Sequence, residues 1–354
     1  MFTRNKKNAE DKENTKPLLI LLFVAIFLFL IWLIIVVFFS FIYDTKKTNG
    51  NRFEENSNSL TSLKSETLKK LFDFTNSQNN KDDSISNVEK ESKIHTNVLE
   101  RDEFQPTMKN LFKDRDLSIE NIDSIFKNVE SPKKIKNSHS TFGKEVVYIY
   151  HTHSRESFLP YLRDTIKAEE AYHETANITL VGEMLGRELE RRGIGTEVDS
   201  SDIVKILAFR ELDYRSSYAI SRELVLSSIK ENKDLELFLD VHRDSLNKDS
   251  TTIQLNGENH ARLLFVVGTG YENFENNLNF AETLDQMLAA QYPGLSKGVI
   301  QKDGSSGDGV YNQDISPNSV IVEIGGVDNT VEELHRTTEI FADVISNYYW
   351  HSEK

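Results

Sequence analysis

The hydrophobic pattern opens with one long apolar run near the amino terminus. Between Pro17 and Tyr43 no residue is charged and nearly all are apolar. About 20 such residues in a helix cross roughly 30 Å of hydrocarbon, so the run predicts a transmembrane helix. It is longer than the apolar region of a signal peptide and lacks a small-residue cleavage site. We therefore predict an uncleaved anchor at 17–43.

Basic residues on the two sides of this helix predict its orientation. Five lie in the segment 1–16, against three in the segment 44–52. Because basic segments tend to stay on the cytoplasmic side, we expect residues 1–16 inside the cell and the bulk of the chain outside. The sequence therefore predicts a single-pass protein of the cell membrane.

Residues 44–142 are rich in Asn, Ser, Lys and Glu and show no strong strand pattern. Such a composition buries too little apolar surface to offset the entropy of the chain, so we predict a polar stalk or linker. Two roles stay open for it, a spacer that gives an anchored protein reach and a docking segment for partners.

From residue 143 to residue 354, short apolar runs alternate with longer runs of helical period. This alternation predicts an α/β domain with a single mixed, largely parallel sheet flanked by helices, and a hairpin at 251–267. The predicted strands are Glu145–Tyr150, Leu235–Val241, Thr251–Leu255, Arg262–Val267 and Val320–Ile324. The predicted helices are Ile178–Arg192, Ser217–Lys230, Phe274–Gln291 and Val331–Tyr349.

Composition excludes several kinds of chemistry. The formal net charge is -14, which makes a nucleic acid an unfavourable partner. The chain has no cysteine, which excludes thiolate catalysis, disulfides and cysteine-ligated zinc. Any metal must therefore be held by His, Asp or Glu.

Three predicted strand ends carry polar side chains suited to catalysis. They are the segments His151–Glu156, Asp240–Asp244 and Val320–Gly326. Because active sites of such sheets lie at the carboxyl ends of the strands, we expect the three segments to meet in one cleft.

The residue types at these strand ends match a zinc hydrolase. A catalytic zinc often takes two histidines and one carboxylate, and His151, Glu156 and His242 fit that set. A carboxylate is usually also needed to take and return a proton, and Glu323 fits because a charge inside an apolar strand is costly without a purpose. The alternative for Glu323 is a structural pairing with Arg243.

Asp240 and Asp244 flank His242 along the chain. They could orient its ring as hydrogen-bond acceptors, or they could be solvated loop charges. The sequence leaves both readings open.

Five ordered motifs resemble the stage II sporulation protein P family of endospore-forming bacteria, between Val146 and the carboxyl terminus. They are Tyr148–Phe158, Asn177–Gly182, Asp240–Ser245, Gly309–Asp314 and Glu323–Asn329. The resemblance implies a fold related to the zinc-dependent N-acetylmuramoyl-L-alanine amidases, with Zn2+ as cofactor and peptidoglycan as substrate. The implied activity removes stem peptides from glycan strands during forespore engulfment in sporulation.

The resemblance also implies protein partners and a cellular location. Stage II sporulation proteins D and M would be partners, with protein Q across the intermembrane space of the sporangium, where the catalytic domain would lie. Two other functions stay open. One is mainly a cross-link endopeptidase, since the same site hydrolyses any positioned amide, and the other is a non-enzymatic wall-binding scaffold of the engulfment complex.

The family motifs imply particular site residues. They place metal ligands on His151 and His242 and the catalytic glutamate on Glu323. The motif of this family places the third ligand on Glu156, whereas the broader amidase superfamily has it just before the first helix, where this chain has Glu174. We expect Glu156.

Three further residues are expected to contact the substrate or to support the ligands. His153 stands where the broader superfamily has a glycine-rich turn, and Arg243 follows His242 directly. The expected role of His153 or Arg243 is to hold a peptide carboxylate or the oxyanion. Asp244 is expected to support the ligand residues without contacting the metal itself.

Overall fold

The computed structural model describes residues 105–129, 139–305 and 307–351 of the chain. The predicted cytoplasmic segment 1–16, the anchor 17–43 and most of the stalk 44–142 lie outside these residues. Within them, no helix combines the length and the apolar character needed to cross a membrane.

A mixed, largely parallel sheet lies at the centre of the domain. The strands are β1 (Glu145–Tyr150), β2 (Gly195–Val198), β3 (Leu237–Asp244), β4 (Thr252–Leu255), β5 (Glu258–Ala261), β6 (Leu263–Gly268), β7 (Ser296–Lys302) and β8 (Ser319–Gly326). Six of them form the sheet, in the order β2-β1-β3-β8-β6-β7. The first four of this order run parallel, while β6 is antiparallel to β8 and parallel to β7.

Helices cover both faces of the sheet. The α-helices of the described residues are α1 (Met108–Leu111), α2 (Ile122–Lys127), α3 (Thr179–Arg191), α4 (Ile203–Phe209), α5 (Ser217–Glu231), α6 (Lys248–Thr251), α7 (Phe274–Gln291) and α8 (Val331–His351). Helices α3, α7 and α8 pack on one face and α5 packs on the other. Because both faces are covered, β1 is a continuous buried run rather than an alternating one.

The predicted α/β domain with a mixed, largely parallel sheet flanked by helices is confirmed, and several elements differ from the prediction. The prediction missed β2, α4 and β7, which are short or carry few apolar residues and therefore show no clear period. The predicted hairpin at 251–267 is shorter than expected, because β4 pairs with β5 and β6 joins the main sheet instead.

The described residues 105–129 pack onto the domain, although they belong to the segment predicted as stalk. Leu111, Ile122 and Phe126 are each 3% exposed or less, and the last two join the main core. Arg115 is buried as well and donates to the carbonyl of Tyr172 over 3.2 Å. These contacts brace the loop that follows β1, which carries part of the site.

Candidate metal centre

The register between β3 and β8 places two predicted site residues side by side. His242 and Glu323 are Cα partners in this parallel pair. Side chains at paired positions leave the sheet on the same face. Strand β1 lies on the other side of β3 and runs parallel to it, so the loop after β1 opens at the same edge. The predicted meeting of the three strand ends is confirmed.

His153, Glu156 and His242 form the candidate metal centre, because their ligand atoms all lie within 4.8 Å of one another. His153 Nδ1 is 3.6 Å from Glu156 Oε1, and His242 Nδ1 is 3.6 Å from Glu156 Oε2. Two imidazole nitrogens that face one carboxylate are a ligand set typical of catalytic zinc. The donor set therefore fits a divalent cation.

His151, which the sequence predicts as a ligand, is not one of the three residues of this cluster. Its Nδ1 is 2.9 Å from the carbonyl of Asp199, and its ring packs against Gly182 of α3 beside Ile149. A Cβ at Gly182 would overlap the ring, so glycine is required there. His151 thus packs against α3, whereas the ring of His153, expected to contact the substrate or to support the ligands, lies 4.8 Å from that of His242 between centroids.

Asp240 and Thr152 lie behind His242. The Asp240 Oδ1 atom is 3.0 Å from His242 Nε2, at an angle outside the range of a good hydrogen bond. The backbone N–H and the hydroxyl of Thr152 both donate to the Asp240 carboxylate, over 2.9 and 2.6 Å. A carboxylate behind a histidine holds the ring so that its other nitrogen faces the metal. Asp240 is fully buried against His242, so of the two roles left open for it that of a solvated loop charge is excluded.

The charges of the centre are strongly coupled. Burial lowers the pKa of His242, but Asp240 and Glu156 outweigh it and hold this pKa well above its usual value of 6.5. Burial raises the pKa of Glu156, but the imidazoles of His153 and His242 beside it outweigh burial and lower this pKa. Glu156 is therefore ionised at neutral pH, as a metal ligand must be.

Glu323 is a half-buried carboxylate whose Oε2 atom is shielded from water. Burial raises its pKa to about 8, with His242 opposing and the charges of Glu156 and Asp244 adding to the shift. Its Oε2 atom has no hydrogen-bond partner among the described residues. A buried group with a strongly shifted pKa beside a ligand cluster is a candidate for proton transfer. The alternative pairing with Arg243 does not occur.

The side chains of Arg243 and Asp244 bind groups outside the three-residue cluster. The Arg243 guanidinium donates to the carbonyls of Ser157 and Ala171 over 2.8 and 3.0 Å. The Asp244 carboxylate is 2.7 Å from Lys297 Nζ. Binding of substrate by the Arg243 guanidinium stays a prediction, while its backbone N–H donates to Glu156 over 3.1 Å and so fixes that ligand.

Glu174, the alternative third ligand, lies away from the centre. Its side chain is 54% exposed and is 3.4 Å from Lys205 Nζ and 3.9 Å from Arg155. Its Oε2 atom therefore pairs with Lys205 and Arg155. Geometry thus favours Glu156 over Glu174.

Two tyrosines that sequence reasoning missed enclose His153. The Tyr214 ring stacks on the His153 ring at 4.9 Å between centroids, and the Tyr218 ring meets it edge-on at 5.6 Å. Both rings are 9% exposed or less. The sequence offers one signal for this pair: the two tyrosines are four residues apart at the start of a predicted helix.

A second group of possible ligands has another explanation. Glu188, His335 and Glu339 also bring ligand atoms within 4.8 Å of one another. However, Arg191 and Arg192 donate to the Glu188 carboxylate over 2.8 and 2.7 Å. These guanidinium groups neutralise it, so this group is an ion-pair network that ties α3 to α8.

The fold and the site together define a class, an α/β domain with a two-histidine, one-carboxylate centre at the carboxyl edge of its parallel strands. The chain belongs to the stage II sporulation protein P family, whose sequence model matches residues 43–346. This membership associates the chain with sporulation.

Two known proteins show how similar the chain is to others. Stage II sporulation protein P of Bacillus subtilis (strain 168) is 40% identical over 252 residues, which cover 71% of this chain and 63% of that protein. The match thus spans less than two thirds of the relative's length. A crystal structure of a metallo-carboxypeptidase from Burkholderia cenocepacia aligns with a TM-score of 0.36 and 9% identity, over 60% of this chain and 59% of that one. A similarity of this size is too small to assign a fold or an activity.

Proposed function

We propose that the domain is a zinc-dependent peptidoglycan hydrolase that cleaves the amide between N-acetylmuramic acid and the L-alanine of the stem peptide. The observation that supports it most is the position of Glu323, a carboxylate with a buried Oε2 atom that lies in register with His242 at the candidate metal centre. Metal-dependent amide hydrolysis uses a set of metal ligands with a proton-transfer group beside it. Family membership supports the setting in sporulation.

His153, Glu156 and His242 would hold the zinc ion. A zinc ion held there would polarise the scissile carbonyl and make water more acidic. The chain supports both histidines in advance: Tyr214 stacks on His153, and the carboxylate of Asp240 lies behind His242. Pre-positioned ligands lower the cost of reaching the reactive geometry.

Glu323 moves the proton. It accepts a proton from the attacking water and then donates it to the nitrogen of the leaving L-alanine. A pKa of about 8 suits a group that has to hold a proton near neutral pH. A positive charge at the centre would lower this pKa and so favour the ionised form that accepts the proton.

The test measures bound zinc and the products released from purified peptidoglycan by the full-length protein. We expect the wild type to bind zinc and release intact stem peptides, His242→Ala to lose zinc, and Glu323→Gln to keep zinc but lose turnover. Shortened peptides that stay attached to glycan would instead identify a cross-link endopeptidase. Binding to the wall without metal or cleavage, with the candidate partners supplied, would identify a scaffold.

We also propose a location and partners for the chain. The apolar run 17–43 would anchor it in the cell membrane with the catalytic domain in the intermembrane space. Stage II sporulation proteins D, M and Q would be the partners, as the family resemblance implies. Protease protection of the two sides of the membrane and co-purification from sporulating cells test these two points.

A further inference from the structure

The segment Gly309–Asp314 is a sequence motif that the proposed chemistry does not use. Its Asn312 is 4% exposed and has a φ of 59°, in the left-handed region that residues other than glycine seldom adopt. Asparagine tolerates this region better than most residues. A buried residue in such a conformation persists where its surroundings hold it, often at a functional site.

One contact route leads from Asn312 to His153. The Asn312 side chain donates through Nδ2 to the carbonyl of Tyr218, in the first turn of α5, over 3.0 Å. The Tyr218 ring lies edge-on to His153, and the Tyr311 ring packs against Tyr218 at 5.2 Å between centroids. The motif therefore holds the ring that borders the first histidine of the centre.

A second route leads from Asn312 to His242. The same Nδ2 donates to Ser221 Oγ over 2.9 Å, and Ser221 Oγ lies 2.7 Å from Thr152 Oγ1. The Thr152 hydroxyl donates to the Asp240 carboxylate, which stands behind His242. Ser221, Thr152 and Asp240 are each 1% exposed or less, so this chain of polar groups is shielded from water.

We propose that Asn312 is a positioning residue for both histidines of the candidate metal centre. This inference rests on the proposed function, because it assigns Asn312 to the same centre. Buried hydrogen-bond networks hold their members in one arrangement when every group is satisfied. Loss of the supporting partners of a metal ligand commonly lowers metal affinity about 10- to 100-fold.

Asn277, in the first turn of α7, offers a matched comparison because its side chain contacts the same loop. It is 2% exposed, and its Nδ2 donates to the carbonyls of Gln313, Ser316 and Ser319 over 3.1, 2.7 and 2.8 Å. Like Asn312 it ties this loop to the domain through a buried amide. Its hydrogen bonds end on loop and strand carbonyls rather than on α5, so it tests anchoring of the loop alone.

The experiment measures the Zn2+ affinity of the full-length protein by competition with a chromophoric chelator. Asn312→Asp keeps the size and the left-handed tolerance of the residue but removes both N–H donors, and Asn312→Gly removes them without backbone strain. We expect each to lower Zn2+ affinity about 10- to 100-fold, while Asn277→Asp changes it by less than about twofold. Equal losses at the two asparagines, or no loss at Asn312, would overturn the inference.

The histidine ring resonances of the metal-free protein give a readout that needs neither activity nor zinc. We expect Asn312→Gly to shift the signals of both His153 and His242, whereas Ser221→Ala, which cuts only the second route, shifts those of His242. Unchanged signals in Asn312→Gly would overturn the inference even if zinc binds. If the wild type binds no zinc but the signals shift as expected, the proposed function fails and the positioning role stands.

Discussion

Replacing Phe126 with alanine should lower the free energy of unfolding by about 3–5 kcal/mol, the usual cost of a large-to-small change in a core. Phe126 is 2% exposed, and its ring meets that of Tyr161 edge-on at 5.7 Å between centroids. Arg187 also donates to its carbonyl over 2.6 Å, which fixes α2 against α3. The residue belongs to a segment that the sequence assigns to the stalk, so the test decides where the folded domain begins.

The assay is urea unfolding of the protein starting at residue 105, followed by circular dichroism. With a slope near 3 kcal/mol per molar urea for a domain of this size, the midpoint should fall by about 1–2 M. Phe209→Ala is the matched control, because Phe209 is 86% exposed and its loss should change stability by about 0.5 kcal/mol or less. A loss below about 1 kcal/mol at Phe126, similar to the control, would refute the docking of α2.

Three further predictions concern the site and its supports. His153→Ala should abolish zinc binding in equilibrium dialysis while His151→Asn keeps it, and the reverse result would restore the ligand set predicted from sequence. Gly182→Ala should destabilise the fold by about 1–3 kcal/mol in thermal unfolding, because its Cβ would overlap the His151 ring, and unchanged stability would place that ring elsewhere. In metal-free protein the folded-state pKa of Glu323, about 8, lies above its usual 4.5, so ionisation of this carboxyl destabilises the fold as pH rises between these values. Glu323→Gln should therefore stabilise the metal-free protein in urea more at high pH than at low pH, and equal effects would contradict the raised pKa.

His151 and His153 show where prediction from the sequence stopped. Two residues apart, they would share a face if the strand continued, and either could then be the ligand. The strand β1 ends at Tyr150, and the chain then turns, with the N–H of Glu156 donating to the carbonyl of His153 over 3.0 Å. This turn moves His153 towards α5 and His242, and the hydrophobic pattern carries no sign of it.

Glu323 could be predicted as a site residue from the sequence, whereas the role of Asn312 could not. Glu323 was predicted as a site residue because a lone charge in an apolar strand is costly without a purpose. Asn312 belongs to a motif that can be recognised in the sequence, but its role could not be inferred there. Its partners Tyr218 and Ser221 lie more than 90 positions earlier in the chain. Its left-handed conformation is likewise a product of these distant contacts.

By itself, the sequence determined the alternation of strands and helices and the types of donor available for a metal. Periodicity reports which local segments can be covered by others, and composition limits the chemistry, here by the absence of cysteine. Only the tertiary structure decided that His153 rather than His151 joins Glu156 and His242, and that residues 105–129 pack on the domain. Both outcomes depend on contacts between residues distant in the chain, whose energies no local pattern contains.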